Sequence, residues 1–331
     1  MSVDFLVPRS ASSATRKTRR RFMCDLLSER PTTGLITGDR IVVLEDGHQY
    51  QWAAGWTDLG AVLGGGGREV LTASRDYYVR TDGSDSNDGS ADDAGHAFAT
   101  VQYALDLVRD TIDFACSSNV VTIHVADGDY SAQNIFLFSM TNPQPGGWPS
   151  VFIAGNTADP SLVVFGSVGV AGTNTKLECD GLTVSGSLSA TDGAMLFAND
   201  VKLTNAYGGA IAANNRGFVG VGGACELASS ASSGTTFIDA YNHGIVSFGP
   251  STFDITASYA IVTLGFIYFR WGGIVQYWPG TVTGVSNISG RKYRGYAMGM
   301  LSTNGIAPSS VPGTVAGDVD TGAVAEQLIY P

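Results

Sequence analysis

Through the middle of the chain a glycine returns with an apolar residue four positions later and further apolar positions beyond it. Gly193 leads to Phe197, Val201 and Leu203, and Gly217 to Val221, Cys225 and Leu227. Gly244 leads to Phe248, Phe253 and Ile255, and Gly265 less regularly to Phe269 and Ile274. Phe197, Val221, Phe248 and Phe269 follow one another at 24, 27 and 21 residues, which is no helical period. Each unit reads as two or three short strands joined by Gly, Ser and Asn turns, and no unit can bury its apolar face alone. Stacked coil upon coil, such units predict an all-β chain folded as a parallel β-helix.

The flanks are patterned differently. Ile41–Leu44 and His48–Trp52, separated by Glu45-Asp46-Gly47, predict a hairpin, because Asp-Gly supplies the positive φ of a tight turn. So small a hairpin needs a further partner. Gly64 to Gly67 predicts a hinge and a first boundary. Ala97 to Val108 predicts a helix with Thr100 as N-cap and Val101, Ala104, Leu105 and Val108 on one face, a lid for the open end of the solenoid. The first coil begins at Val120. From Arg291 the coil motif is lost, so the organisation expected is an attachment region over 1–66, a β-helix over 67–290 and a C-terminal extension over 291–331 that wraps neighbouring subunits or frays.

Composition fits this picture and narrows it. The chain has 331 residues, 43 of them glycine, and only 15% are charged, as many short strands and tight turns require. The formal charge of −11 argues against duplex nucleic acid but not against neutral or basic polysaccharide. Residues 1–30 nevertheless hold seven Lys or Arg, five of them clustered as Arg16, Lys17, Arg19, Arg20 and Arg21. The cluster reads as a solvated arm or as a segment that docks on something acidic. No apolar segment of signal-peptide type follows it and no stretch reaches membrane-spanning length, so a soluble protein without membrane insertion is expected. Cys24, Cys116, Cys179 and Cys225 are far apart, as expected of reduced thiols made in a cytoplasm.

Three segments resemble a known family. They are Tyr78-Val-Arg-Thr-Asp-Gly-Ser-Asp, Ala97-Phe-Ala-Thr-Val-Gln-Tyr-Ala and Ile123-His-Val-Ala-Asp-Gly-Asp-Tyr. Together they look like the entrance of pectate-lyase-like right-handed parallel β-helices, closest to the tail spikes, fibres and head spikes of bacteriophages and phage-derived gene transfer agents. The resemblance covers roughly residues 75–290. It implies a right-handed coil, a homotrimer on the surface of a virion or phage-like particle, and binding to bacterial surface polysaccharide, which some family members cleave. It also implies that an N-terminal segment fixes the spike to other capsid or tail proteins, a role for the basic arm and the hairpin. Pectin methylesterases share the Val-Ala-Asp-Gly-Asp-Tyr opening, but their Asp-Phe-Ile-Phe-Gly-type catalytic run is absent here.

Candidate chemistry falls into three groups. Asp82, Asp85, Asn87 and Asp88 offer four oxygen-bearing side chains within seven residues. They suit calcium, the one cofactor the sequence suggests, but without EF-hand spacing they equally suit turn capping. Asp180, Asp192, Asp200, Asp239 and Asp254 are candidates for the carboxylate pair that glycoside cleavage needs, and an embedded pair in a groove would favour a depolymerase. Tyr241, His243, Tyr268, Arg270, Trp271, Tyr277 and Trp278 concentrate rings and polar tips in the last coils. Sugars stack C–H faces on such rings, while the alternative is that these rings close the core or an interface. If Phe269 points inward with Phe248, alternation turns Tyr268 and Arg270 outward. The functions expected are attachment to surface polysaccharide, its cleavage, or ligand-free decoration of a particle.

Overall fold

The computed structural model describes the backbone of residues 21–24, 40–43, 48–52 and 56–61, and residues 68–140, 150–173, 175–204, 209–228, 233–320 and 324–326. The chain divides into two units, Met1–Glu69 and Val70–Pro331. In the first unit the expected hairpin is Arg40–Val43 against His48–Trp52, antiparallel. It is not alone: Arg21–Cys24 adds in parallel on one side and Trp56–Ala61 antiparallel on the other, giving four strands. A two-stranded ribbon is marginal in water and the extra strands supply what it lacks. Arg21 therefore opens a strand, while Arg16, Lys17, Arg19 and Arg20 lie outside the described residues, as does the Gly64–Gly67 hinge.

The second unit is a parallel β-helix. One ladder runs from Arg75–Val79 through Val121–Val125, Val151–Ala154, Lys176–Val184, Met195–Leu203, Phe218–Leu227, Ile245–Phe248 and Ile274–Tyr277 to Met300–Ser302 and Val324–Glu326. A second runs from Ile135–Phe138 through Val168–Ala171, Leu188–Thr191, Ile211–Ala213, Ser233–Tyr241 and Tyr259–Arg270 to Tyr293–Tyr296 and Asp318–Val319. The long strands of the first ladder bend, and their second halves pair with short strands such as Val163–Phe165, Thr252–Ile255 and Thr281–Thr283. All of these pairings are parallel, so identical positions of successive coils lie above one another and the core is built of columns. One column is Ile123, Ile153, Cys179, Ala198, Val221, Phe248 and Tyr277, every member buried.

This register corrects the sequence in two places. Phe197 pairs with Gly220 and is not in the column, whose member is Ala198. In the next coil the counterpart of Gly244 is Gly273, not Gly265, since Ile245 pairs with Ile274. Gly265 sits inside the strand Tyr259–Arg270, where a Cβ would approach the backbone of Tyr293 and Arg294 within 2.9–3.0 Å. The solenoid also does not end at 290. Tyr293–Tyr296 pairs with Tyr259–Arg270, and Met300–Ser302 with Ile274–Tyr277, so much of the expected extension is further coil.

The helix Val101–Thr111 packs at the N-terminal end of the ladders. Its N-cap Thr100 accepts from the Tyr103 N–H, and Val101, Ala104, Leu105 and Val108 are its buried residues. Phe98 and Leu105 join the common core, and the Gln102 amide closes a backbone hydrogen bond on each side of Phe136. Among the described residues no helix is long and apolar enough to cross a membrane. Cys179 and Cys225 are buried and Cys116 exposed, all three as free thiols.

Candidate functional site

One corner of the β-helix is made of stacked tight turns. Asp192–Gly193, Asn215–Arg216, Asn242–His243, Trp271–Gly272 and Ala297–Met298 each place two consecutive residues at positive φ. A hydrogen bond closes each turn, for example from Gly244 N–H to the Tyr241 carbonyl at 2.9 Å and from Gly273 N–H to the Arg270 carbonyl at 2.9 Å. The turns are also tied coil to coil, Arg216 N–H to the Asn242 carbonyl and His243 N–H to the Trp271 carbonyl, both 3.2 Å. Asn is among the few residues that tolerate such backbone, and the glycine that follows is a packing demand: a Cβ on Gly244 would lie 2.1 Å from the Ala213 carbonyl oxygen.

Side chains at this corner stack with the turns. Asn215 Nδ2 donates to Asp192 Oδ1 at 3.1 Å, and Asn242 Nδ2 to Asn215 Oδ1 at 3.3 Å. Above the turns lies an open groove of about 600 Å³, lined by Asp192, Asn215, Arg216, Asn242 and His243 among others.

Leading into the corner is an outward face of the second ladder. Phe269 is buried, and by alternation Tyr268 and Arg270 turn outward, half-buried. The Arg270 guanidinium lies 4.7 Å from the Tyr241 ring centroid, 5.0 Å from that of Tyr268 and 4.5 Å from that of Trp271. A planar cation among three ring faces fixes all four groups in place. Below them Asp239 reaches Arg270 through Oδ2 and Nη2 at 3.6 Å, while Asp239 Oδ1 and Arg270 Nε are buried without a partner. Burial pushes the Asp239 carboxyl up to about 6 against the opposing pull of Arg270, since desolvation disfavours the charged form. Trp271 keeps 43% of its surface exposed, a ring held rigidly from behind and open in front.

Of the seven residues singled out from sequence, Tyr241, Tyr268, Arg270 and Trp271 thus meet at one place. His243 adjoins them: its ring lies where a side chain on Gly272 would go, 2.8 Å from that absent Cβ. Tyr277 does not belong. It is 1% exposed, its ring stacked on Phe248 at 5.6 Å and 3°, and it ends a core column. Trp278 is 45% exposed but lies at the other end of the strand Ile274–Tyr277, against Gly249. Asn215, Arg216 and Asn242 are additions, and their signal was in the sequence as Asn-Arg-Gly and Asn-His-Gly 27 residues apart.

The oxygen-rich loop does not converge on a centre. Asp82 pairs with Arg80 at 2.8 Å, and Asp85 accepts from Ala99 N–H, Thr100 N–H and the Thr100 hydroxyl at the start of the helix. Asn87 Nδ2 donates to the Ala94 and Ala97 carbonyls, and Asp88 accepts from Ser90. Hydrogen bonds from Arg80 and Ser90 hold the Asp82 and Asp88 carboxyls below their usual range. Among the described residues no group of three or more His, Cys, Asp or Glu is gathered to hold a metal ion.

Among the five carboxylates considered for cleavage, Asp180 and Asp200 are neighbours, and burial, followed by Asp200, raises the Asp180 carboxyl. Asp180 Oδ1 is buried without a partner. Asp200 borders a groove of about 270 Å³ whose wall includes Asp159, Ser161, Lys202, Glu226 and Asp254. Asp192 and Asp254 are instead engaged by Asn215 and Thr283.

Comparison with protein-family models, with curated proteins and with solved structures finds no match to this chain.

Proposed function

We propose that the protein is a spike or fibre of a phage-like particle that attaches to bacterial surface polysaccharide through the face formed by Tyr241, Tyr268, Arg270 and Trp271. The observation that carries this reading is the Arg270 guanidinium held among three rings, with Trp271 left open to solvent. A pre-ordered ring loses little freedom when a sugar stacks on it, and the polar groups of the adjoining groove are placed to bond hydroxyls. The reading carries a homotrimer closed by heterologous contacts. It also carries attachment to other particle proteins through the N-terminal unit and its Arg16 to Arg21 cluster. A glycan array probed with the full-length protein tests the first part, with retention on at least one bacterial polysaccharide expected and silence across the array contradicting it. Native mass spectrometry tests the second, a monomer at micromolar concentration being the contrary result. Removing residues 1–20, which leaves the strand Arg21–Cys24 in place, tests the third through loss of incorporation into particles.

A specific observation favours a second reading, cleavage of the bound polysaccharide. Burial, and after it the neighbouring Asp200 carboxyl, raises the Asp180 carboxyl, Asp200 borders the groove of about 270 Å³, and a carboxyl raised in this way suits a general acid. Release of reducing ends by the wild type, lost in Asp180→Asn, supports this reading. Equal release by both proteins removes it.

A further inference from the structure

The groove over the stacked turns is built for a particular chemistry. We propose that Arg216 and His243 form a subsite for an anionic substituent, a carboxylate or a phosphate, carried by the glycan, so that the preferred polysaccharide is acidic; this rests on the glycan-binding reading above.

Arg216 and His243 occupy the same position of consecutive turns, with φ of 67° and 64°, and their backbones are tied coil to coil. Their side chains therefore leave the corner about one strand spacing apart, ~4.8 Å. The same position in the turns on either side is Gly193 and Gly272, so no side chain crowds the pair from above or below. Both residues are exposed and both line the groove of about 600 Å³.

Charge makes the placement informative. In a chain of net −11, Arg80, Arg109, Lys202 and Arg270 each stand against a carboxylate at 2.7–3.6 Å. Among the described residues neither Arg216 nor His243 has such a partner. The one carboxylate lining the groove, Asp192, is engaged by Asn215. Two adjacent basic groups that no carboxylate contacts among the described residues, over an open groove, are the donors that a carboxylate or phosphate needs. The Asn215 and Asn242 amides and the Asp192 carboxylate add acceptors beside them, which a bare anion does not use and the hydroxyls of an acidic sugar do. The groove joins the aromatic face through His243, whose ring packs over Gly272 directly after Trp271. One chain can thus stack a ring on Trp271 and place its charged group on Arg216 and His243.

The test is calorimetric titration of the full-length protein with four probes: size-matched oligomers of galacturonic acid, poly(glycerol phosphate), neutral dextran and inorganic phosphate. The variant is Arg216→Asn with His243→Asn, because asparagine is at ease at positive φ and keeps the turns. Trp271→Ala is the control for the aromatic face. Expected is at least tenfold tighter binding of one charged oligomer than of dextran, and loss of that preference in the double variant with its melting temperature unchanged. Equal binding of charged and neutral oligomers overturns the subsite, as does a preference that survives the double variant. If Trp271→Ala then still weakens every oligomer, the aromatic face stands and only the subsite falls. Inorganic phosphate binding as tightly as the oligomers overturns the glycan assignment of the subsite, and absence of binding by all four probes overturns it together with the aromatic face.

Discussion

Trp271 and Trp278 flank the same short strand and are almost equally exposed, 43% and 45%, yet they stand in different chemistry. Trp271 sits at positive φ in a turn, with Arg270 stacked against it and Tyr241 and Tyr268 around the same guanidinium. Trp278 lies over Gly249, where a Cβ would come within 2.0 Å of its Nε1, and no cation is stacked on it among the described residues. Between them Tyr277 is wholly inside. Exposure alone therefore does not mark a binding ring. What distinguishes Trp271 is that its neighbours fix it before any ligand arrives.

The comparison can be broken first from its interior side. Tyr277→Ala is expected to destabilise the fold by about 3–5 kcal/mol, the range for truncating a large buried ring, read as a lower denaturation midpoint. Tyr277→Phe is expected to leave stability unchanged or raise it, because the hydroxyl is buried without a partner. A severe loss in Tyr277→Phe would mean that the hydroxyl is bonded. Next in size is Gly244→Ala, whose new methyl meets the Ala213 carbonyl. Forcing a methyl into such packing costs about 1–3 kcal/mol, and urea unfolding measures it.

A smaller effect follows from Asp239. Burial raises its carboxyl to about 6, above the ~3.9 of an unfolded chain, so between these values the folded state holds more proton than the unfolded one. Stability from this group is therefore full below about pH 4 and falls as the pH rises through about 6, by about 1.4 kcal/mol per unit at most. Asp239→Asn lacks that slope, so the difference in unfolding free energy between wild type and variant moves against the wild type from pH 4 to pH 6. A constant difference across that range would place Asp239 at an ordinary carboxylate value.

How much of this was legible depended on how local each cause is. The helix with its Thr100 cap and its buried stripe follows from one segment, and pattern sufficed. The coil repeat was legible as a period but not in register. Two residues at positive φ in each of the five stacked turns, such as Trp271 and Gly272, interrupt the alternation of the strands. Parity counted through Phe269 places Val275 and Tyr277 inside, where they are, but it fails within the turn itself, where Trp271 shares the parity of Phe269 and is exposed. The coils beyond Arg291 were missed because their corner is Ala297-Met298-Gly299, without the asparagine or aspartate that marks the turns at Asp192, Asn215 and Asn242. Asp239 beneath Arg270 was visible only as a carboxylate, since the pairing of Asp239 with Tyr268 and of Tyr241 with Arg270 is set by the stacking of coils about thirty residues apart.

The most direct measurement compares the two tryptophans. Binding isotherms of wild type, Trp271→Ala and Trp278→Ala on the polysaccharide identified by the array, with melting temperatures taken on the same preparations, separate a fixed stacking ring from an exposed one. The account predicts at least a tenfold loss of affinity for Trp271→Ala, about 1.4 kcal/mol or more, a near-wild-type isotherm for Trp278→Ala, and little change in either melting temperature. Equal affinities in all three proteins, or a loss confined to Trp278→Ala, would contradict the assignment of the Arg270 face as the glycan site.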